Sequence, residues 1–276
     1  MISSTKNEQV KNVIELKKKA KARNEAGLFV VEGVRMVSEL PKKRTEKVYV
    51  SESFLKNPDS EWFLAEYPRY EVVTDAVFAA MSDTQTPQGV LALVRQYEYG
   101  IDDILKAEGA AHLMILENLQ DPGNLGTILR AGEGAGITGL IMSRDTVDIY
   151  NPKVIRSTMG SVFRVPFFYT DDLSATVKEL QTRGIRLFAA HLGGKNNYEA
   201  EDYTGDIGFL IGNEGNGLTD ELSDMADTWV KIPMAGKVES LNAAIAASIL
   251  MYTPAMPLAL VWSAWPWASS RSATCA

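Results

Sequence analysis

The sequence predicts an α/β protein built from two successive strand–helix runs. Two observations carry this. Short apolar segments of strand length alternate with helical patterns from Leu28 to Gln96, and the alternation restarts at Ala110 after a polar stretch. In the second run, glycine-rich turns directly follow apolar strands, the place where parallel sheets gather ligands.

In the first run, NEQVKNVIELKKKAKAR (residues 7–23) reads as one amphipathic helix, with Val10, Val13, Ile14 and either Leu16 or Lys17 on its apolar face. LFVVEG is a strand stopped by Gly33, and VRMVSEL is a helix ended before Pro41. KVYVSES is a strand, WFLAEY a helix, YEVVT a strand, DAVFAAMSD a short helix and GVLALVRQ the last strand. YEYGIDDILKAEG links the runs.

In the second run, the strands are AHLMILEN, ITGLIMS, VPFFYT, IRLFAAHLGG, DIGFLIG and DTWVKIPM. Helices are expected at LGTILRAGEGAG, NPKVIRSTMGSVF, DLSATVKELQTRG, LTDELSDMA and SLNAAIAASILMY. Near-continuous apolar strands separated by helices predict a mostly parallel sheet covered on both faces. The last helix should stop near Pro254. The expected organisation is therefore residues 1–97 as a first domain, 98–109 as a linker, 110–252 as a second domain and 253–276 as an atypical tail rich in Trp, Pro and Ser, with no assigned function.

Composition excludes several classes. The single cysteine, Cys275, allows no intramolecular disulfide and no all-cysteine zinc site, and two histidines argue against a histidine-rich metal centre, so no metal is expected. No apolar signal-peptide core and no run of 18 apolar residues is present, so a cytoplasmic protein away from membranes is expected. The net charge of −7 hides an asymmetry: residues 1–50 hold 12 Lys or Arg against 6 Glu, a local net of +6 on an acidic body. Such an end is either a phosphate-binding surface or a solvated helix face.

Three turns draw the chemistry together. In ENLQDPGNLGTILRAGEGAG, Asp121 followed by Pro122 fits a helix cap and first helical position, although Asn124 could cap instead. Gly126 permits close backbone approach, and Arg130 offers a fixed fork of donors to a phosphate or carboxylate. Its plain alternative is an ion pair with Glu133 or Glu117. LIGNEGNGL follows a strand with three glycines, yet is neither GxGxxG nor GxxxxGK[ST], and Glu214 would repel a polyphosphate. In KIPMAGKVESLNAAIAASILMY, Ser240 or a neighbour caps a helix whose Ala243, Ala244, Ala246 and Ala247 admit a second backbone. No Ser–His–Asp triad is supplied.

In order and spacing, NLQDPGNLGTILR, IGNEGNGL and IPMAGKVESLNAAIAASI resemble the three motifs of the SpoU, or TrmH-type, RNA ribose 2′-O-methyltransferases of the SPOUT class. The resemblance spans about residues 110–252. The segment LKKKAKARNEAGLFVVEGVRMVSEL is similar to the same family's substrate-binding domain, an L30e-like α/β unit.

The resemblance implies a SPOUT fold with a C-terminal deep trefoil knot, preceded by a small α/β L30e-like domain. Periodicity gives no hint of a knot. It also implies a homodimer, S-adenosyl-L-methionine (AdoMet) as cofactor, and structured RNA, ribosomal rather than transfer RNA, as partner. By correspondence with the motifs, the catalytic set is Arg130, Asn124, Ser240, Asn242 and Glu214. Cofactor-binding positions are Ala190, His191, Gly193, Gly212, Asn213, Gly217, Ile232, Met234 and Leu241. Lys17, Lys18, Lys19, Lys21, Arg23 and Arg35 are the candidate RNA phosphate contacts. A base-directed methyltransferase and a non-catalytic RNA-binding or ribosome-assembly factor are the alternatives.

Overall fold

The computed structural model describes residues 1–58, 60–106 and 109–255, so the expected tail lies outside the described residues from position 256 on. The chain divides into two compact units: Met1–Glu98 with Leu125–Arg130 and Val147–Arg164, and Tyr99–Asn124 with Ala131–Thr146 and the chain from Val165 on.

In the first unit, α1 (Glu8–Lys18) and α2 (Ala20–Ala26) precede β1 (Leu28–Glu32), α3 (Val34–Ser38), β2 (Thr45–Ser51), α4 (Glu52–Leu55), α5 (Ser60–Glu66), β3 (Glu71–Val73), α6 (Asp75–Met81) and β4 (Val90–Arg95). The sheet order is β1-β4-β2-β3, with β4 antiparallel to both neighbours and β2 parallel to β3. Val10, Val13 and Leu16 of α1 pack with Val77, Phe78 and Met81 of α6 over Val30, Tyr49 and Leu91.

The helix expected over residues 7–23 is two helices. Lys19 adopts an extended conformation between them (φ −123°, ψ 119°). The break lets Arg23 turn back, and its guanidinium donates to the open carbonyls of Leu16 (2.7 Å) and Lys17 (3.3 Å) at the end of α1.

The second run comprises α7 (Ile101–Leu105), β5 (His112–Leu116), α8 (Pro122–Ala135), β6 (Gly139–Ser143), α9 (Pro152–Thr158), β7 (Phe167–Thr170), α10 (Leu173–Thr182), β8 (Arg186–Ala190), the two-residue β9 (Asn196–Asn197), β10 (Ile207–Ile211), α11 (Asp220–Met225), β11 (Thr228–Lys231) and α12 (Ala243–Ala255). Of these, α9 and the middle of α8 cluster with the first unit. Within the span expected as a linker, α7 buries Ile104 completely against Gly139, where a β-carbon would come within 2.3 Å of the Ile104 side chain. Helix α12 runs one residue past Pro254.

All pairings in the seven-stranded sheet are parallel, in the order β7-β6-β5-β10-β8-β11-β9. Every residue of β5 and β10 is buried, as strands covered on both faces require. The late strand β10 sits between β5 and β8, pairing Ile211 with Leu116, while Val230 of β11 pairs with Ala190 of β8. Their carboxyl ends therefore share one edge, and the loops that follow them meet there.

Candidate functional site

After β5 the chain needs a sharp entry into α8. Asn118 takes the left-handed conformation (φ 51°), which Asn tolerates better than most residues, and its amide donates to Ser143 Oγ (2.8 Å). Asp121 is the helix cap: its Oδ1 accepts from the Asn124 amide (2.8 Å), and Pro122 takes the first helical position. With capping done by Asp121, the Asn124 side chain is left for contacts beyond its own helix.

The loop after β10 folds on itself. Asn213 and Gly217 exchange backbone hydrogen bonds (3.0 and 2.9 Å), and Asn213 Oδ1 accepts from the amides of Gly215 (2.9 Å) and Asn216 (3.2 Å). At Gly212 a β-carbon would lie 2.0 Å from the carbonyl carbon of Gly217, so only glycine fits. Asn213 Nδ2 donates to the Asn118 carbonyl (2.8 Å), and Glu117 accepts from both the amide and the hydroxyl of Thr219 (2.8 Å each). These contacts fix the second loop to the first.

Glu214 projects back to the start of α8. Its carboxylate accepts from the amides of Gln120 (3.0 Å) and Asp121 (2.9 Å) and from Asn124 Nδ2 (3.0 Å). Partial burial alone would raise its pKa; the Asn124 amide and the two backbone donors outweigh that and hold it below the usual carboxylate range.

The third loop ends at Asn242, which caps α12 through Oδ1 to the amides of Ala244 (2.9 Å) and Ile245 (3.3 Å). Of the caps the sequence left open, Ser240 or a neighbour, the neighbour Asn242 does the capping, and Ser240 lines the cavity described next. The Asn242 side chain also donates through Nδ2 to Asn124 Oδ1 (3.0 Å). Asn242, Asn124 and Glu214 thus form one hydrogen-bonded chain across three loops that are far apart in sequence.

Beside this chain lies a cavity of about 250 Å³. Its walls include Ala190 and His191 after β8, Gly212, Asn213, Glu214 and Gly217 after β10, and Ile232, Met234, Ser240 and Leu241 after β11. The His191 ring packs on Trp229 at 4.2 Å between centroids, and its Nδ1 accepts from the Gly193 amide (3.1 Å). Gly193 itself lies outside the wall, where Leu192 takes part instead; the tightly packed member of the glycine pair is Gly194, whose β-carbon would meet Trp229 O at 3.0 Å. Sequence reasoning also missed Ile211, Gly215, Asn216, Val230 and Lys231 in the wall. Ala243 and Ala246 line it too, and the run of small residues in α12 was their signal.

Arg130 is exposed on α8, six residues after Asn124, and has no ion-pair partner among the described residues. The ion pair weighed for it with Glu117 is absent, because Glu117 holds Thr219.

The basic candidates of the first unit divide sharply. Lys17 and Arg23 are corrected: both are buried. Lys17 pairs with Glu32 (3.1 Å) and Asp83 (3.1 Å) and donates to the Met81 carbonyl (2.7 Å). Arg23 is paired with Asp148. Neither presents its charge to a phosphate. Lys19 pairs with Glu15 (2.8 Å), Lys21 with Glu25 (3.7 Å) and Arg35 with Glu39 (3.7 Å), all with exposed cations. Lys18 is exposed. Among the described residues no group of three or more His, Cys, Asp or Glu is placed to hold a metal ion, and no helix is long and apolar enough to cross a membrane.

Residues 111–252 match the SpoU rRNA methylase family, and residues 7–92 match the MRM3-like substrate-binding domain. The chain belongs to the SpoU rRNA methylase family. It is 30% identical over 253 residues, 91% of this chain and 97% of the relative, to the 23S rRNA (guanosine(2553)-2′-O)-methyltransferase RlmP of Bacillus subtilis (strain 168). Among solved structures it is similar to the SpoU methyltransferase AviRb of Streptomyces viridochromogenes in complex with AdoMet, with a TM-score of 0.80, 27% identity, and coverage of 91% of this chain and 97% of that one. It is also similar to an AdoMet-bound rRNA methyltransferase of Sinorhizobium meliloti, with a TM-score of 0.80, 30% identity, and coverage of 92% and 96%. The fold is accordingly the SPOUT fold, known for its deep trefoil knot, preceded by a small substrate-binding domain. The protein is an AdoMet-dependent RNA ribose 2′-O-methyltransferase.

Proposed function

We propose that this enzyme methylates a ribose 2′-hydroxyl in structured ribosomal RNA, with the cavity at the sheet edge holding AdoMet. The observation that carries this reading is the Asn242–Asn124–Glu214 chain beside a cavity whose glycine loop tolerates no side chain at position 212. The residues present fit the cofactor. The backbone of residues 212–217 lies in the wall, where the groups outside its internal hydrogen bonds can meet an adenine, and Ile232, Met234 and Leu241 give it apolar walls. Ala190 and His191 border the same space, and Gly193 holds the His191 ring in place.

When bound, AdoMet would supply an activated methyl group for transfer. The protein must then position the 2′-oxygen and help its proton leave. Arg130 cannot be a general base, because a guanidinium stays protonated. Its role in this reading is to clamp the neighbouring RNA phosphate in a bidentate grip and polarise the hydroxyl, with the phosphate or a water accepting the proton. Asn124, Asn242 and Ser240 orient the ribose and the arginine. Glu214 has its carboxylate occupied by three donors, so it orders the loops rather than meeting the anionic RNA.

The same reading takes residues 1–97 as the RNA-binding domain, 98–109 as the connection and 110–252 as the catalytic domain, acting in the cytoplasm without membrane or metal. Exposed Lys18, Lys19, Lys21 and Arg35 remain its candidate phosphate contacts. A homodimer is part of it, and Ile245 and Tyr252, 50% and 37% exposed on α12, are apolar surface for a second copy. The test is transfer of labelled methyl to ribosomal RNA with site-resolved mapping of the product. Arg130→Lys should lower turnover by about 100-fold while AdoMet affinity holds, on the scale of losing one transition-state donor. Wild-type turnover and RNA affinity in Arg130→Lys would remove the clamp.

A further inference from the structure

The first unit contains an open groove of about 540 Å³ that the catalytic reading does not use. One wall is the aromatic helix α5. Phe63 is fully buried there, edge-on to Phe54 (5.5 Å between centroids, 87°) and stacked on Tyr67 (5.0 Å, 27°). The Tyr67 hydroxyl donates to the Val37 carbonyl at 2.6 Å, which anchors the helix to α3. Trp62, the neighbour of Phe63 on this fixed helix, lies outward: 51% exposed, with an edge contact to Phe63 at 5.8 Å and 81°. An indole with half its surface in water is apolar area open to a flat partner.

Gln88 lines the same groove. Its Oε1 accepts from the Val34 amide (2.9 Å), which fixes the plane of the carboxamide and leaves its Nε2 without a hydrogen-bond partner among the described residues. The backbone beneath it is equally constrained. Gly89 has φ +80°, and a β-carbon there would lie 2.4 Å from Ser51 Oγ. In sequence, the exposed Arg35 and Lys56 stand beside the groove residues Val34 and Asn57, and Glu52 and the exposed Glu61 stand beside Ser53 and Trp62, so the surroundings carry both signs of charge. An aromatic face and an oriented amide donor in one groove form the combination that recognises an unpaired base: the ring stacks, and the amide meets an acceptor on the base edge.

We propose that this groove is a docking subsite for one unpaired nucleotide of the RNA substrate, with its base stacked on Trp62 and its edge read by Gln88. The inference deepens the reading above and rests on RNA being the substrate. In it, the front domain selects a splayed-out base away from the methylated ribose, so it contributes sequence preference as well as charge.

The full-length protein is titrated with a fluorescein-labelled single-stranded oligoadenylate ten nucleotides long. Trp62→Ala should weaken binding by about tenfold, within the range for loss of one base–aromatic stack. Trp62→Phe, which keeps a ring, should restore it to within about threefold of wild type. Gln88→Glu, which keeps an acceptor for Val34 and loses the donor, should weaken it as well. AdoMet affinity should not change in any of the three. With ribosomal RNA as substrate, Trp62→Ala should raise KM and leave kcat. Wild-type oligonucleotide binding by Trp62→Ala, or no recovery in Trp62→Phe, overturns the proposal. Should Trp62→Ala fail to fold, photo-crosslinking of the wild-type protein to RNA containing 4-thiouridine decides: a crosslinked peptide carrying Trp62 supports the subsite, and crosslinks confined to other peptides overturn it. Methyl transfer that is insensitive to Trp62 leaves the enzyme reading standing and removes only the subsite, whereas absence of transfer by wild type removes the enzyme reading.

Discussion

Residues 17–23 and residues 212–218 are both short polar runs beside apolar segments, and the fold uses them in opposite ways. In the first run, proximity in sequence suggests a basic surface, but Lys17 and Arg23 turn inward to Glu32, Asp83 and Asp148. In the second, Asn213 and Glu214 look like ordinary loop residues, yet they reach across to Asn118, Gln120, Asp121 and Asn124. Charge density along a chain therefore says little about where the charge ends up. Polar residues recurring at the ends of neighbouring parallel strands say more, because the sheet brings those ends together.

The sharpest way to break this contrast is Lys17→Met. Burial alone would raise the Glu32 carboxyl, and Ser82, Lys17 and Thr84 together hold it below its usual range. Removing the ammonium leaves Glu32 short of its cation in a largely buried setting, so unfolding free energy should fall by about 3–5 kcal/mol. Lys18→Met, on the exposed side of the same helix, should change it by less than about 0.5 kcal/mol. Urea melts of the two variants check the pair. Equal stabilities would place Lys17 on the solvated surface with Lys18.

On the other side of the comparison, Gly212→Ala forces a β-carbon to within 2.0 Å of the loop's own backbone. Overpacking of this kind costs about 1–3 kcal/mol. Here the strain falls on the cavity wall, so AdoMet affinity measured by calorimetry should fall by roughly tenfold or more, while the first unit keeps its circular dichroism. Unchanged affinity would show that the loop can move away from the wall without loss.

Much of this was legible beforehand. The strands of the parallel sheet announced themselves as continuous apolar runs, and β5 and β10 are buried along their whole length for that reason. The glycine turns marked the sheet edge, since their backbones come too close for side chains. Lys17 also had a signal: it stands four residues after Val13 and seven after Val10, on the apolar stripe, where a long stem lies in the core and delivers its charge to a partner. Arg23 had none, because its partner Asp148 is 125 residues away. The break at Lys19 was equally hidden, since no Gly or Pro marks it in residues 17–23. Gly193 and Gly194 could not be separated by spacing; only packing against Trp229 tells them apart.

His112 offers a subtler test at the opposite end of β5 from the loops that line the cavity. Burial lowers its pKa from 6.5 to about 4, and its Nε2 is buried without a hydrogen-bond partner among the described residues. Folded His112 thus stays neutral where an unfolded chain would take up a proton. Stability should be intact above pH 6.5 and decline as pH falls toward 4, with about 1–2 kcal/mol lost between pH 7 and pH 5. Comparing His112→Gln with wild type across that window isolates its share, because Gln keeps polarity without titrating. Parallel stability curves would mean that His112 protonates freely in the folded state.

The smallest expected stability change carries the finest distinction. Asn242 does two jobs: Oδ1 caps α12, and Nδ2 donates to Asn124. Asp is as good a cap as Asn, so Asn242→Asp keeps the capping share of stability, and the whole change should stay at about 1 kcal/mol, the scale of the one lost hydrogen bond. It removes the donor, however, and sets a carboxylate oxygen against the Asn124 carbonyl oxygen. Rotating the Asn124 amide does not resolve this, because its oxygen would then face Glu214. Methyl transfer should therefore fall by about tenfold, the scale of one lost hydrogen bond to a charged or oriented partner. If Asn242 were only a cap, Asn242→Asp would turn over like wild type, and the link between the third loop and the first two would be structural rather than part of the site.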